Sequence, residues 1–230
     1  INFLDKNIGK DNYLLFLTAD HAGAINTQYL KDNRFPVNYF SEKNLEKDLK
    51  KYLYQNYKDT AILENVSNHQ IFLNYDKIKT LQIDVQKLYF DLKSFCYQYP
   101  EIAEVYTKSE LITSLHNHPS IYAFVSNGFN PSRSGDIVFV MNPGNLDYGL
   151  QGTTHGSGYN YDTHVPLLFY GFKNKALEST RYYSITQIAP TLAFLLNINI
   201  PNACFDVPID EVIDNVNVNY PPSNNLYEGR

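Results

Sequence analysis

The sequence predicts a globular α/β fold in which a sheet is flanked by helices. Short apolar runs of strand length alternate along the 230 residues with segments whose apolar residues recur at helical spacing. The hydrophobic content of 43% and the aromatic content of 15% are those of a folded protein. A chain of this length buries a sizeable core, either as one domain or as part of a larger one.

The first strand is predicted at residues 13–17, a continuous apolar run that suits a strand buried on both faces of a parallel sheet. A helix is predicted after Ser41, a good N-cap, and a second one after Thr80. The apolar residues that recur at helical spacing are Leu45, Leu49, Leu53 and Tyr57 in the first, and Leu81, Val85, Leu88, Leu92 and Phe95 in the second. Short strands are predicted around residues 61–63 and 71–73, between the two helices.

Two further apolar runs, at residues 137–141 and 165–170, flank a loop rich in Gly, Asn and Tyr. A last helix is predicted around residues 185–196, with Pro190 tolerable only in or near its first turn. The pattern predicts three parts. Residues 1–40 carry a core strand and a candidate metal-binding loop, 41–125 form a small inserted α/β subdomain, and 126–230 return to the core with two strands and the final helix.

Charge and composition exclude several classes of partner. The formal net charge is -5 without a basic block, so no nucleic-acid partner is expected. No apolar run approaches the roughly 18 residues of a membrane span. Cys96 and Cys204 show no CxxC spacing, and one disulfide or two free thiols fit equally well.

Asp20 and His21 follow the first predicted strand directly, where open α/β sheets place their ligand-binding loops. A carboxylate and an imidazole are ordinary zinc ligands, and the small residues Ala22 and Gly23 allow the chain to turn so that both reach one ion. The alternative is that Asp20 caps the following turn and His21 faces solvent.

A second candidate segment, residues 152–164, contains His155 between glycines, followed by His164. Glycines let the backbone approach an ion closely, although they also serve ordinary turns, and for His164 a structural role beside the next strand is favoured. His116 and His118 precede a proline, which favours a surface turn over a metal site. His69 stands alone in a polar stretch and is expected to face solvent.

Four segments in the same chain order resemble the alkaline phosphatase superfamily, in its monoesterase branch related to nucleotide pyrophosphatases/phosphodiesterases. They are residues 17–23 (LTADHAG), 133–144, 152–171 (including GTTHGS and THVPLLFYG) and 188–196 (IAPTLAFLL). The resemblance implies an alkaline-phosphatase-like sheet, here as an incomplete domain and a C-terminal portion. It also implies a metal-dependent phosphatase that binds two Zn²⁺ when intact and is exported to the periplasm or the cell surface.

By the same resemblance, Asp20 and His21 help to hold the zinc ion on the nucleophile side, and His155 binds the other ion, with His164 as the second choice. The nucleophile and the remaining ligands are expected upstream of this chain, because only 19 residues precede Asp20. The piece alone is therefore expected to be inactive, with partial or no zinc occupancy, and its partners are a phosphate ester and the missing N-terminal part. Two alternatives stay open: a phosphodiesterase or phosphonate hydrolase of the same superfamily, or a non-catalytic α/β binding module.

Overall fold

A computed structural model describes residues 1–112, 120–147 and 151–216. Its strands are β1 (Leu14–Leu17), β2 (Leu63–Ser67), β3 (Gln70–Leu73), β4 (Ile102–Thr107), β5 (Ile137–Met141) and β6 (Leu168–Gly171). Its α-helices are α1 (Asn2–Asn7), α2 (Thr27–Asp32), α3 (Glu42–Tyr57), α4 (Tyr75–Thr80), α5 (Val85–Cys96), α6 (Lys108–Ile112), α7 (Ile121–Gly128), α8 (Asn160–Thr163), α9 (Ile188–Leu195) and α10 (Asp210–Asn215). Within these ranges, none of the helices combines the length and the apolar character that crossing a bilayer requires.

The chain divides into two compact units. The central unit is Asp20–Val165, and the terminal unit consists of Ile1–Ala19 and the described residues of Pro166–Arg230. The predicted mixture of helices and sheet is confirmed, whereas the predicted division at residues 40 and 125 stays a prediction.

The sheet of the central unit has the order β2-β3-β5-β4, and each neighbouring pair is antiparallel. Strands β2 and β3 form a hairpin through Asn68 and His69, which have φ angles of 52° and 58°. Positive φ at both loop residues is the conformation that matches the twist of a two-residue hairpin. Strand β5 lies inside this sheet, where Ile137 and Phe139 point into the core. Its two neighbours in the sheet are β3 and β4.

The core of the central unit lies where α3 and α5 pack on the sheet. Leu45, Leu49 and Leu53 of α3 are fully buried, and the Ser41 side chain accepts a hydrogen bond from the Asn44 amide, which confirms the predicted helix and its cap. Each such leucine contributes on the order of 1.5–3 kcal/mol through burial. The second helix begins at Val85 because Asp84 caps it, and Thr80 instead ends the separate helix α4.

In the terminal unit, β1 pairs with β6 in an antiparallel register from Leu14 opposite Gly171 to Leu17 opposite Leu168. The expectation of a parallel strand buried on both faces is wrong, since Phe16 is 41% and Leu17 54% exposed. An apolar run gives strand propensity but not the direction of its partner. The final helix α9 is confirmed, with Pro190 in its first turn, where no intrahelical amide bond is lost.

Candidate metal site

Two loops of the central unit meet at the candidate site: the Asp-His loop, defined as residues 20–26, and the His-Gly loop, defined as residues 152–164. Hydrogen bonds between them run from Ala22 N to Asp162 O (2.9 Å), Ala24 N to Thr154 O (3.1 Å), Thr153 Oγ1 to Ala24 O and Asn26 Nδ2 to Gly152 O. Two of these four bonds join backbone groups on both sides, and the other two run from a side chain to a backbone carbonyl. The two loops are therefore fixed to each other beside both histidines.

His21 and His155 come together at this junction. Their imidazole rings stack with centroids 3.3 Å apart and an angle of 17° between the planes. The Nδ1 atom of His21 lies 2.6 Å from the carbonyl oxygen of Ala22, to which an Nδ1–H group donates. That tautomer leaves the Nε2 lone pair free, and zinc-binding histidines are oriented in the same way by a hydrogen bond from their other ring nitrogen.

Asp20 lies next to the same nitrogen. Its Oδ1 accepts a hydrogen bond from the backbone N–H of His21 (3.0 Å), and its Oδ2 lies 3.8 Å from His21 Nε2. Two ligand atoms on one tetrahedral zinc ion, each at about 2 Å, are about 3.4 Å apart. The Asp20 and His21 donors thus fit one ion in type and approximate spacing. The Asp20 side chain is 87% exposed, and within the described ranges no group of three or more His, Cys, Asp or Glu residues is arranged to hold a metal.

The remaining histidines differ in their surroundings. His164 follows the last residue of α8 and is exposed. His69 is partly buried, contrary to the expectation that it faces solvent, and burial lowers its pKa although Glu42 and Asp147 oppose the shift. His116 and His118 lie outside the described residues.

Asp162 is a residue that the sequence reasoning missed. It is only 4% exposed, and its Oδ2 accepts three hydrogen bonds, from Gly156 N (3.2 Å), Ser157 N (2.8 Å) and Ser157 Oγ (2.6 Å). Gly156 has φ 127°, a conformation that side-chain-bearing residues rarely adopt. Asp162 therefore holds the turn directly after His155. The spacing of Gly156, Ser157 and Asp162 in one loop was visible in the sequence, but nothing in it showed that the carboxylate turns inward.

Several known proteins resemble this chain over most of its length. No protein-family model matches the chain. The chain is 35% identical over 217 residues to a Myroides odoratus protein named calcium-transporting ATPase, 34% over 213 residues to the alkaline phosphatase PafA of Elizabethkingia meningoseptica, and 29% over 212 residues to the alkaline phosphatase PhoV of Synechococcus elongatus. Each match covers 92% of this chain but only 38–39% of the relative.

Solved structures give the same result for the fold. The crystal structure of wild-type alkaline phosphatase PafA superposes with a TM-score of 0.83 at 33% identity, over 92% of this chain and 40% of that one. A quadruple variant of PafA gives a TM-score of 0.82. The similarity in sequence and fold therefore places the chain in the alkaline phosphatase superfamily, as the motifs predicted. It corresponds to a C-terminal portion of such a protein and spans about two fifths of the length of these relatives.

Proposed function

We propose that this chain is part of a zinc-dependent phosphate monoester hydrolase, to which it contributes Asp20, His21 and His155 as zinc ligands. The observation that carries the proposal is the meeting of His21 and His155, far apart in sequence, with rings 3.3 Å apart. Two of the alignments over 92% of the chain are to proteins named alkaline phosphatases, which supports phosphate esters as the substrate class.

Two zinc ions, when bound, stabilise the attacking and the leaving oxygen in a displacement at phosphorus. In this proposal Asp20 and His21 bind one ion, His155 binds the other, and the stacked rings keep the two sets of ligands adjacent. Asp162 positions His155 through the turn at Gly156 and Ser157. The nucleophile and the other ligands belong to the part of the protein upstream of Asp20, so the 230-residue chain alone is inactive and binds zinc weakly.

We further propose that the intact enzyme acts in the periplasm or outside the cell, as the superfamily resemblance implies. Monoesters are favoured over diesters because the matched relatives include several named alkaline phosphatases. A diesterase or phosphonate hydrolase is the competing enzyme, and parallel assays on aryl mono- and diesters separate the two.

The experiment compares hydrolysis of an aryl phosphate and bound zinc in the full-length protein that carries this segment, with His155→Ala and His164→Ala as a matched pair. We expect His155→Ala to lower zinc content and reduce activity at least about 100-fold, because outer-shell partners alone are worth 10–100-fold. His164→Ala is expected to retain most of both. Equal loss in the two variants, or activity in the isolated 230-residue chain, would contradict the assignment.

A further inference from the structure

A cavity of about 390 Å³ in the central unit begins beside His155. This volume is within the range of sites for small organic ligands. Its lining includes the apolar or aromatic side chains of Phe124, Phe129, Phe139, Met141 and Tyr161. Because His155 is also a lining residue, a ligand in the cavity lies next to the proposed zinc site.

The charged groups that line the cavity are all of one sign. Its carboxylates are those of Glu42, Asp147 and Asp162, and no Lys or Arg occurs among its described lining residues. His69 lines the same cavity, and burial lowers its pKa, so that at neutral pH the ring adds no positive charge. These charges repel an anionic group of a ligand in the cavity and attract a cationic one.

One of these carboxylates has an unused acceptor atom. Asp162 Oδ1 is buried and has no hydrogen-bond partner within the described residues, while Oδ2 of the same group accepts three bonds. A buried carboxylate whose second oxygen has no partner is incompletely compensated, so it attracts a positive charge placed in the adjacent cavity. The described carboxylates do not converge as metal ligands do, which favours a larger organic cation over a metal ion.

We propose that this cavity binds the leaving group of the substrate, and that the preferred substrates are phosphate monoesters of alcohols that carry an ammonium group. The proposal rests on the proposed function, since it assigns the phosphate to the neighbouring zinc site. Aromatic side chains and carboxylates in one lining attract ammonium groups, through cation–π and charge interactions.

The test uses the amino alcohol alone, so that it depends on neither zinc nor hydrolysis. The 230-residue chain is titrated with choline and with its neutral carbon analogue 3,3-dimethyl-1-butanol, and binding is followed by amide chemical shifts in NMR. The two probes have nearly the same shape and differ in charge. We expect choline to bind at least about fivefold more tightly, the size of a partly desolvated cation–π contact.

Variants locate the site. Glu42→Gln keeps an oxygen that accepts the hydrogen bond from His69 N but loses the charge, and it is expected to remove most of the preference for choline. Glu64→Gln removes an exposed carboxylate of β2 outside the cavity and should leave binding unchanged. Equal affinity for the two probes, no binding of choline, or an equal effect of both variants would overturn the inference. Loss of aryl phosphate hydrolysis in His155→Ala with no choline binding would refute this inference alone and leave the proposed function intact.

Discussion

Asp162→Ala should loosen the turn that follows His155. The substitution removes the acceptor of three hydrogen bonds, each worth about 1.5–3 kcal/mol when made to a charged group. Gly156 is exposed, so its amide regains water, and the unpartnered Oδ1 is removed as well. We therefore expect a net local cost of about 2 kcal/mol, well below the sum of the three bonds.

The assay is amide hydrogen exchange at Ser157, compared with amides in the core helix α3. A local cost of about 2 kcal/mol raises the exchange rate at Ser157 about 30-fold and leaves α3 unchanged. Asp162→Asn is the matched variant, because its single amide oxygen can still accept these bonds without charge, and it should give a smaller increase. If Ser157 exchanges at the same rate in Asp162→Ala as in the unchanged protein, Asp162 does not hold the turn, and its role in positioning His155 is refuted.

Two further outcomes are expected for stability. Gly171→Ala should lower the free energy of unfolding by at least about 2 kcal/mol, because Gly171 has φ 85° and an added Cβ would collide with the backbone oxygen of Tyr13. The control is Gly23→Ala, where an added Cβ meets nothing within 4 Å. In the same denaturant titration its free energy of unfolding should stay within about 0.5 kcal/mol of the unchanged protein. His69→Asn keeps a residue that tolerates the left-handed turn but removes a group whose folded pKa lies below its unfolded value of about 6.5. As pH falls, His69 is protonated in the unfolded state before it is protonated in the folded state. The unchanged protein should therefore lose stability relative to the variant below about pH 6.5, and parallel curves of stability against pH would contradict this.

The helices of the central unit could be predicted well from the sequence. The leucines of α3 repeat on one face behind Ser41, and burial of one face is the physical cause of such a repeat. Sheet pairing could not be predicted, because β1 and β5 have similar apolar runs but different partners. The apolar run of β5 lies between β3 and β4, whereas that of β1 pairs with β6 and leaves Leu17 exposed. Long-range pairing is decided by tertiary packing, and a local pattern carries little information about it.

The sequence predicts which residues form the candidate site but not how they are arranged in space. Asp20, His21 and His155 were named from motifs, and the structure brings the two imidazoles into contact. The burial of Asp162 could not be predicted, because a carboxylate in a polar loop is usually solvated, and only the fold shows that this one is buried. The partial burial of His69 could not be predicted, because polar sequence neighbours do not show that the hairpin turn lies beside a cavity.

Contrary to the prediction from the sequence, the candidate site is not built on the edge of a parallel sheet. Asp20 and His21 belong to the central unit, whereas the preceding strand β1 is antiparallel to β6 and belongs to the terminal unit. Hydrogen bonds between the Asp-His loop and the His-Gly loop bring the two histidines together instead. The integrity of the proposed zinc ligands therefore depends on contacts such as Ala22 to Asp162 and Ala24 to Thr154. Substitutions that disturb these loops should affect zinc binding more than substitutions in β1 do.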